Sequence, residues 1–365
     1  MPLYLSVLRL AQFRSHRRTE AVFDGRPVVL TGPNGAGKTN LLEAISLLSP
    51  GRGLRRAGAD ELARAAVGAG WQIEAELRRG SDWHEVSTGA APGQPRTTRI
   101  DGKASPQAAL GRLAAMVWLT PVMDRLWIEA PEGRRRFLDR LTLAFTPGHA
   151  EAALAYDKAL RDRNRLLRDG VTDHAWFTAL EGQMAEAGAA LSANRRATLD
   201  RLAESTQADG PFPAADLTLV CDAPSDPAAL ADRLAQGRRA DMAAGRSLSG
   251  PHRADLGAIW AARRMAAAQC STGEQKALLI SILLAHARAL SATTGAPPIL
   301  LLDELAAHLD PARRAALYDA LSDLGAQAFL TGTEPALFAP LGPRAQHFTL
   351  SDGPEGSILT ESSAS

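Results

Sequence analysis

The stretch Gly32-Pro33-Asn34-Gly35-Ala36-Gly37-Lys38-Thr39 decides the fold of this 365-residue chain. It fits the pattern G-x-x-x-x-G-K-[ST], whose glycines allow several backbone N–H groups to converge on the oxygens of one phosphate. Val28 to Thr31, which reads as a short buried strand, precedes the loop, and a helical pattern at 40–48 follows it. Strand, loop and helix therefore occur in the order that this motif requires, and we predict a P-loop that binds ATP.

All the loop residues, 32–39, are candidate nucleotide ligands. Lys38 brings a positive charge toward the β- and γ-phosphates, and we include it among the catalytic residues. Thr39 offers a hydroxyl to Mg²⁺ and opens a helix whose N-terminus carries the positive end of a dipole. The loop thus predicts two cofactors, ATP and Mg²⁺.

A second apolar run, Ile299-Leu300-Leu301-Leu302, predicts a buried strand that ends at Asp303 and Glu304. Asp303 is the expected second protein ligand of Mg²⁺, alongside Thr39. Glu304 is the expected catalytic base that polarises the attacking water, a role that contributes roughly 10²–10⁴ in rate. The acidic pair therefore predicts an ATPase.

The segment Ser271-Thr272-Gly273-Glu274-Gln275-Lys276 opens a predicted helix about thirty residues before the acidic pair. Taken alone it has two interpretations, an ordinary helix N-cap or an anion site at a helix N-terminus. It resembles the LSGGQ signature of ABC-type ATPases, and Ala307-His308-Leu309-Asp310 resembles their D-loop. The resemblance implies that Ser271, a catalytic residue, and Gly273 contact the γ-phosphate held by a second subunit. It adds Gln275 and Asp310 to the expected nucleotide ligands.

The order of these motifs predicts one α/β domain that a helical lobe interrupts. From Glu132 to Glu204 the pattern is almost entirely helical, and Asp169-Gly170 divides it into an antiparallel hairpin. We expect residues 1–115 and 245–365 to form the two parts of an ABC-type, Rad50-head-like ATPase lobe. The inserted, mainly helical lobe is expected at 116–244, which is far too short for the long coiled coils of SMC proteins.

Charge and composition limit the kinds of partner. The formal net charge is +1 and the pI is about 7.9, so any binding of nucleic acid depends on local basic patches. No helix-turn-helix, zinc-finger or RNP pattern is present, so we expect contacts to the DNA backbone without sequence preference. The candidate arginines are Arg52, Arg55 and Arg56, the run from Arg161 to Arg168, and the pairs at 195–196, 238–239 and 263–264.

Cysteine spacing and hydropathy indicate the cellular compartment of the protein. Cys221 and Cys270 fit no metal or redox spacing, and we expect two buried free thiols. The N-terminus shows no secretory h-region, and we expect no apolar run of the roughly 20 residues that span a membrane. The sequence therefore predicts a soluble cytoplasmic protein with no membrane partner.

Five further segments, spread over nearly the whole chain, resemble the RecF family of bacterial recombination mediators. They are LRLAQFRSH at 8–16, NLLEAI at 40–45, GRGLR at 51–55, RRRFLD at 134–139 and GPHRADL at 250–256. The resemblance implies a homodimer that forms with ATP and binds DNA at gaps and at junctions between single and double strands. It also implies loading of recombinase in repair, fork maintenance and the SOS response, with RecO- and RecR-type mediators as partners. By the same resemblance, Arg14 and Ser15 lie near the nucleotide.

Two alternatives remain open from the residues alone, another SMC/Rad50-like head ATPase or an ATPase subunit of an ABC transporter. Many transporter subunits carry a switch histidine where this chain has Gly332-Thr333. Thr333 would replace that histidine only in part, so we expect slow hydrolysis. As a separate expectation, the hydrolysis depends on DNA. Glu274 adds a negative charge to the signature segment, and we expect it to weaken ATP-driven dimerisation.

Overall fold

The computed structural model describes residues 3–65, 68–207 and 210–362, and of His308 the backbone alone. The described part of the chain forms three β-sheets and eight α-helices. The strands are β1 (Leu3–Phe13), β2 (His16–Val22), β3 (Val28–Thr31), β4 (Trp71–Arg79), β5 (Asp82–Ala90), β6 (Thr97–Ile100), β7 (Lys103–Ala104), β8 (Met116–Leu119), β9 (Ala215–Val220), β10 (Asp255–Trp260), β11 (Met265–Ala266), β12 (Ile299–Leu302), β13 (Ala328–Gly332), β14 (Gln346–Gly353) and β15 (Gly356–Ser362). The helices are α1 (Lys38–Ser46), α2 (Leu110–Leu113), α3 (Pro131–Phe145), α4 (His149–Arg168), α5 (His174–Ser205), α6 (Pro227–Ala244), α7 (Thr272–Thr294) and α8 (Pro311–Asp323).

The P-loop follows β3, an interior strand of a six-stranded sheet with the order β15-β14-β3-β13-β12-β8. All neighbouring pairs in this sheet are parallel except the edge pair β14–β15. Strands β3, β8 and β12 are buried at every residue, as expected for parallel strands that are covered on both faces. The carboxyl ends of β3, β13 and β12 therefore lie side by side, at the edge where open α/β sheets bind ligands.

A second sheet, with the order β2-β1-β4-β5-β6-β7, is antiparallel and packs against α1 through a shared apolar core. The predicted alternation in β4 is confirmed, since Trp71, Ile73, Ala75 and Leu77 are buried. The predicted turn at Asp101-Gly102 is confirmed as well, because Ile100 pairs with Lys103 across it. The N-terminal part is thus mixed α and β, as its sequence predicts.

The inserted lobe is built on the antiparallel hairpin of α4 and α5, which turns at Asp169-Gly170 as predicted. Its expected start at residue 116 needs a correction. Strand β8 pairs in parallel with β12, so Met116–Leu119 lies in the ATPase sheet and the lobe begins beyond it. Four apolar residues of a fully buried strand do not reveal which sheet they join. The rest of the division at 115 and 244 stays a prediction.

Two of the segments that resemble the RecF family meet where the inserted lobe joins the ATPase lobe. The guanidinium of Arg134 on α3 binds the carboxylate of Asp255 through two hydrogen bonds of 2.7 and 2.9 Å. Arg135 donates to the carbonyl oxygen of Ala254 at 2.8 Å. These residues of RRRFLD and GPHRADL therefore hold α3 against β10.

Helix α7 is the one described helix long and apolar enough to cross a membrane, with a mean hydropathy of 1.5 in its most apolar window. The expectation that no such run exists is therefore corrected. The structure buries 72% of that window inside the protein, where α7 packs in the core of the ATPase lobe. Of the two cysteines, both free, Cys270 is buried as expected and Cys221 is only half-buried.

His286 lies in the middle of α7, fully buried, with Nε2 3.0 Å from the carbonyl oxygen of Leu141. Burial lowers the pKa of His286 from 6.5 to about 4, although the hydrogen bond to Leu141 opposes the shift. Between these values the unfolded chain binds a proton that the folded chain does not, so stability falls as the pH drops through the window. We expect this one group to lower the free energy of unfolding by about 2 kcal/mol between pH 7 and pH 5.

Urea midpoints at pH 7, 6 and 5 measure this effect. His286→Gln retains a donor for Leu141 but does not titrate, and it should flatten the pH dependence. His84→Gln is the matched control. His84 lies on β5 with its ring half-exposed, so this variant should keep the pH dependence of the wild type. Burial also lowers the pKa of His252 to about 4, so His252 contributes a pH dependence of stability with the same sign in every variant. Equal slopes for His286→Gln and the wild type would contradict the prediction.

Candidate nucleotide site

The P-loop joins β3 to α1 and contains glycines in the left-handed region of backbone space. Gly35 has a φ of +86° and Gly37 a φ of +100°, values that residues with a Cβ rarely adopt. A Cβ on Gly37 would lie 2.3 Å from Oγ of Ser357 and 2.8 Å from Oγ of Ser15. No described atom lies within 4 Å of the Cβ position of Gly35. The loop is thus closely backed on one side and open on the other, which fits a phosphate cradle.

The side chain of Lys38 folds back over the P-loop. Its Nζ donates to the carbonyl oxygens of Gly32 and Pro33 at 2.6 and 2.9 Å. Burial lowers the pKa of the ammonium, and the nearby carboxylates of Glu304 and Asp303 oppose that shift. The structure therefore brings the predicted cation and the predicted acidic pair into one electrostatic cluster.

Thr39 and Asp303, the two predicted magnesium ligands, are in contact. Oγ1 of Thr39 donates to Oδ1 of Asp303 at 3.0 Å, although the residues lie on α1 and after β12. Burial raises the pKa of Asp303, while hydrogen bonds from Thr331 and Thr39 act in the opposite direction. Among the described residues, no group of three or more His, Cys, Asp or Glu side chains is placed so that it could hold a metal ion. A hydroxyl and one carboxylate fit Mg²⁺ that takes its other oxygens from phosphates and water.

Glu304 follows directly in a half-buried position with a left-handed backbone, at a φ of +52°. Its backbone N–H donates to Oγ1 of Thr331 at 2.8 Å, and the same hydroxyl donates to Oδ1 of Asp303 at 2.7 Å. A non-glycine residue in this region is strained, and such strain is concentrated at functional sites. Thr331 therefore fixes the carboxylate of Asp303 and the backbone of Glu304, a role that was not predicted because nothing in the sequence of a buried strand identifies it.

Arg14 and Ser15 lie beside the loop, but their side chains are engaged with protein groups. Arg14 binds the buried carboxylate of Glu43 on α1 through two hydrogen bonds of 2.9 Å. Oγ of Ser15 accepts hydrogen bonds of 2.7 Å from Asn40 and Ser357. Both residues thus support the loop and α1, and their contact with nucleotide stays a prediction.

Arg55 is exposed, and its guanidinium contacts residues of this site. Its Nη1 donates to Oδ1 of Asn40 at 2.7 Å and lies 3.3 Å from the carboxylate of Glu43. The positive charge of Arg55 acts to lower the pKa of Asp303, against the larger effect of burial, which raises it. Arg55 follows Arg52 closely in the chain, which is why it was expected among the DNA-binding arginines, and nothing in the sequence indicates its contact with Asn40.

The signature segment forms the exposed N-terminus of α7. Ser271 and Glu274 make a capping box, so the N-cap interpretation is confirmed, and it is compatible with the anion-site interpretation. No described atom lies within 4 Å of the Cβ position of Gly273, which leaves its backbone accessible. Gln275 is buried and donates to the carbonyl oxygen of Cys270 at 2.9 Å. Its side chain therefore holds the segment together, which argues against its prediction as a nucleotide ligand.

Asp310 is exposed and caps α8 by accepting a hydrogen bond of 2.9 Å from the backbone of Arg313. Among the described residues, no hydrogen bond or ion pair joins Ser271, Gly273 or Asp310 to the P-loop. The side chains of Ser271 and Gln275 bind only within 270–275. One chain thus presents a P-loop with its acids and, separately, a signature segment.

Three of the candidate DNA-binding arginines are structural, which corrects that part of the expectation. Arg163 is fully buried and binds Glu181 at 3.1 Å, Asp241 at 2.6 Å and Ser247 at 2.7 Å. Arg195 binds Asp139 in the same way, and Arg238 binds Glu181. The guanidinium groups of Arg163 and Arg195 are buried and paired with carboxylates, so they are not available to a phosphate. Arg238 is half-buried and binds both carboxylate oxygens of Glu181. The sequence did not distinguish these residues from the solvated arginines beside them.

A different set of arginines forms an exposed basic surface, which we call the loop patch and define as Arg52, Arg56 and Arg136. Burial and the neighbouring charge of Arg136 lower the pKa of Arg56, and Arg52 adds to the shift. Glu132 lies 3.8 Å from Arg56 and also pairs with Arg136. Arg52 and Arg56 follow α1 in the chain, on either side of Arg55, and Arg136 lies on α3.

The P-loop, the Asp303-Glu304 pair and the separate signature helix together define an ATPase head domain of the ABC type. Residues 4–341 match the RecF/RecN/SMC N terminal domain. The proteins named DNA replication and repair protein RecF from Rhizobium johnstonii and Brucella suis are each 47% identical to this chain. The first alignment covers 96% of this chain and 97% of the relative, and the second covers 95% and 94%. The chain belongs to the RecF family of DNA replication and repair proteins, which replaces the two alternatives.

Solved structures show the same fold at lower identity. The recombination mediator protein RecF with ATP, of the RecFOR pathway, has a TM-score of 0.84 at 22% identity, covering 99% of this chain and 98% of that chain. The Smc head domain of Pyrococcus furiosus, with an extended coiled coil and bound to the C-terminal domain of ScpA, has a TM-score of 0.57 at 17% identity, covering 99% and 96%. The predicted fold class, an ABC-type head domain with a helical insert, is confirmed.

Proposed function

We propose that this protein is an ATP-dependent DNA-binding protein of recombinational repair and replication-fork maintenance. It binds gaps and junctions between single- and double-stranded DNA without sequence preference, and it helps to load recombinase in the SOS response. RecO- and RecR-type mediators are its partners, and it acts in the cytoplasm. Membership of the RecF family, whose members in Rhizobium johnstonii and Brucella suis are named DNA replication and repair proteins, supports this proposal.

ATP closes a homodimer, and slow hydrolysis opens it again. The observation that carries this part is the separation of the P-loop from the signature segment among the described residues of one chain. In an isologous dimer each signature segment faces the partner's P-loop, so two composite sites form at once. A ligand that contacts both subunits favours the closed state by its differential affinity, and hydrolysis removes that preference.

Within such a site the residues have separate tasks. Lys38 and the backbone of 32–39 bind the phosphates, while Thr39 and Asp303 would hold Mg²⁺, which neutralises phosphate charge. The carboxylate of Glu304 accepts a proton from the attacking water. The hydroxyl of Thr331 orients the carboxylate of Asp303 and holds the backbone of Glu304. Ser271 and the accessible backbone of Gly273 complete the site from the partner subunit.

DNA contacts are expected at the loop patch, because these three arginines crowd one another at the surface. Binding should weaken steeply between 50 and 200 mM salt, with a slope of about 0.9 for each phosphate contact on duplex DNA. Arg56→Gln should reduce the slope by about one contact. Competition among gapped, single-stranded and blunt duplex DNA, each with and without ATP, measures the preference for junctions.

Arg165→Gln is the matched control, since Arg165 is exposed on α4 and pairs with Asp162 at 2.7 Å. It should leave the slope unchanged. If Arg165→Gln reduced the salt dependence of DNA affinity more than Arg56→Gln did, the phosphate contact would lie on the helical lobe instead of the loop patch. An affinity that does not change with salt would refute phosphate binding altogether, and equal affinity for all three DNA forms would refute junction binding.

A further inference from the structure

The signature segment contains a carboxylate that is shared between two partners. Oε2 of Glu274 accepts hydrogen bonds from the backbone N–H and from Oγ of Ser271, at 2.8 and 2.9 Å. Oε1 of Glu274 accepts a hydrogen bond from Nη1 of Arg263 at 2.5 Å. One acid therefore connects the N-terminal serine of α7 to a residue that lies outside the segment.

The contact with Ser271 has a consequence for anion binding. A serine hydroxyl has a single hydrogen to donate, and here Glu274 receives it. A phosphate at this helix N-terminus would compete for the same hydrogen, and the carboxylate would also repel it. Glu274 thus opposes the binding of a phosphate by Ser271 in two ways.

Arg263 is held in place by parts of the fold other than α7. It ends a short turn, Ala261–Arg263, after β10, and its guanidinium lies 4.0 Å from the ring centroid of Trp260. Such stacking positions the cation on the aromatic face. The position of Arg263 is therefore set by β10, and its charge is directed at the far oxygen of Glu274.

We propose that Arg263 is a positioning residue that promotes ATP-driven dimerisation by neutralising Glu274. With its charge shared by Arg263, the carboxylate attracts the Ser271 hydrogen less strongly and repels the partner's phosphate less. Loss of Arg263 leaves that carboxylate uncompensated beside Ser271. This inference rests on the proposed dimer, in which Ser271 faces nucleotide bound by the other subunit.

The test measures dimer formation against ATP concentration by analytical ultracentrifugation, with the full chain carrying Glu304→Gln so that hydrolysis does not intervene. Arg263→Gln should raise the ATP concentration for half-maximal dimerisation roughly fivefold, the upper end of what one exposed ion pair contributes. Glu274→Gln should lower it, because glutamine also completes a capping box but carries no negative charge, so it holds the Ser271 hydrogen less strongly and does not repel the phosphate. Arg263→Gln added to Glu274→Gln should have no further effect.

Arg264→Gln removes the same charge one residue along the chain and is the matched control, expected to match its parent. An equal shift by Arg263→Gln with and without Glu274→Gln would overturn the inference, since Arg263 would then act independently of the acid. Unchanged dimerisation in Arg263→Gln would overturn it as well, while leaving the proposed dimer intact. A parent that stays monomeric at saturating ATP would overturn both.

Discussion

Glu304→Gln is expected to reduce steady-state ATP hydrolysis by roughly 10²–10⁴-fold and to accumulate the protein as a dimer with ATP. Glutamine has nearly the same shape but does not accept the proton of the attacking water. The backbone N–H of residue 304 still donates to Thr331, so the strained turn that follows β12 is retained. Binding is therefore preserved while the step that releases the dimer is lost. Phosphate release and sedimentation with and without ATP measure the two effects.

Glu85→Gln is the control. It removes an exposed carboxylate from β5, in the antiparallel six-stranded sheet, and should behave as the wild type. The wild-type turnover should lie well below ~10 s⁻¹, the median for enzymes, because Thr333 only partly replaces a switch histidine. A faster wild type would contradict the proposal that hydrolysis acts as a slow timer. A Glu304→Gln protein that hydrolyses ATP at the wild-type rate would remove Glu304 from its role as base.

Lys38→Ala is expected to weaken ATP binding on the order of 10- to 100-fold, the usual contribution of a hydrogen bond to a charged group. The protein should then stay monomeric at ATP concentrations that convert Glu304→Gln into a dimer. The structure explains the effect, since Nζ of Lys38 lies over the loop and close to both acids. Fluorescent-nucleotide titration and sizing measure affinity and oligomeric state.

Lys103→Ala, on the short exposed strand β7, removes a lysine far along the chain from the loop and should bind ATP normally. Equal urea midpoints for Lys38→Ala and the wild type would show that the fold is intact. If Lys38→Ala and Glu304→Gln had identical sizing profiles with and without ATP, the scheme of a nucleotide-closed dimer would be wrong.

Much of the architecture was predictable from the sequence because its motifs are local. Strands β3 and β12 are short, mainly apolar runs that lead into polar functional groups, and α7 is capped by a serine with a glutamate three residues later. The break at Asp169-Gly170 likewise marks the turn between α4 and α5. Each signal lies within a few neighbouring residues, so no knowledge of the tertiary structure was needed.

The environments of the charged residues were not predictable in the same way. Arg163 and Arg165 occur two positions apart on α4, yet the first is fully buried in an ion-pair network and the second is exposed. The difference depends on Glu181 and Asp241, which other helices bring to one side of α4. Distant contacts also determine the role of Thr331 and the place of β8 in the ATPase sheet.

The sequence by itself determined that this chain has a P-loop, an acidic pair and a signature segment, because each depends on residue types at a fixed local spacing. Only the tertiary structure decided which side chains those motifs meet. It placed Thr39 against Asp303, directed Arg55 toward Asn40, and put Arg263 on the carboxylate that holds Ser271. The physical reason is that hydrogen bonds and ion pairs depend on distances of a few ångströms between groups that the chain separates by many residues.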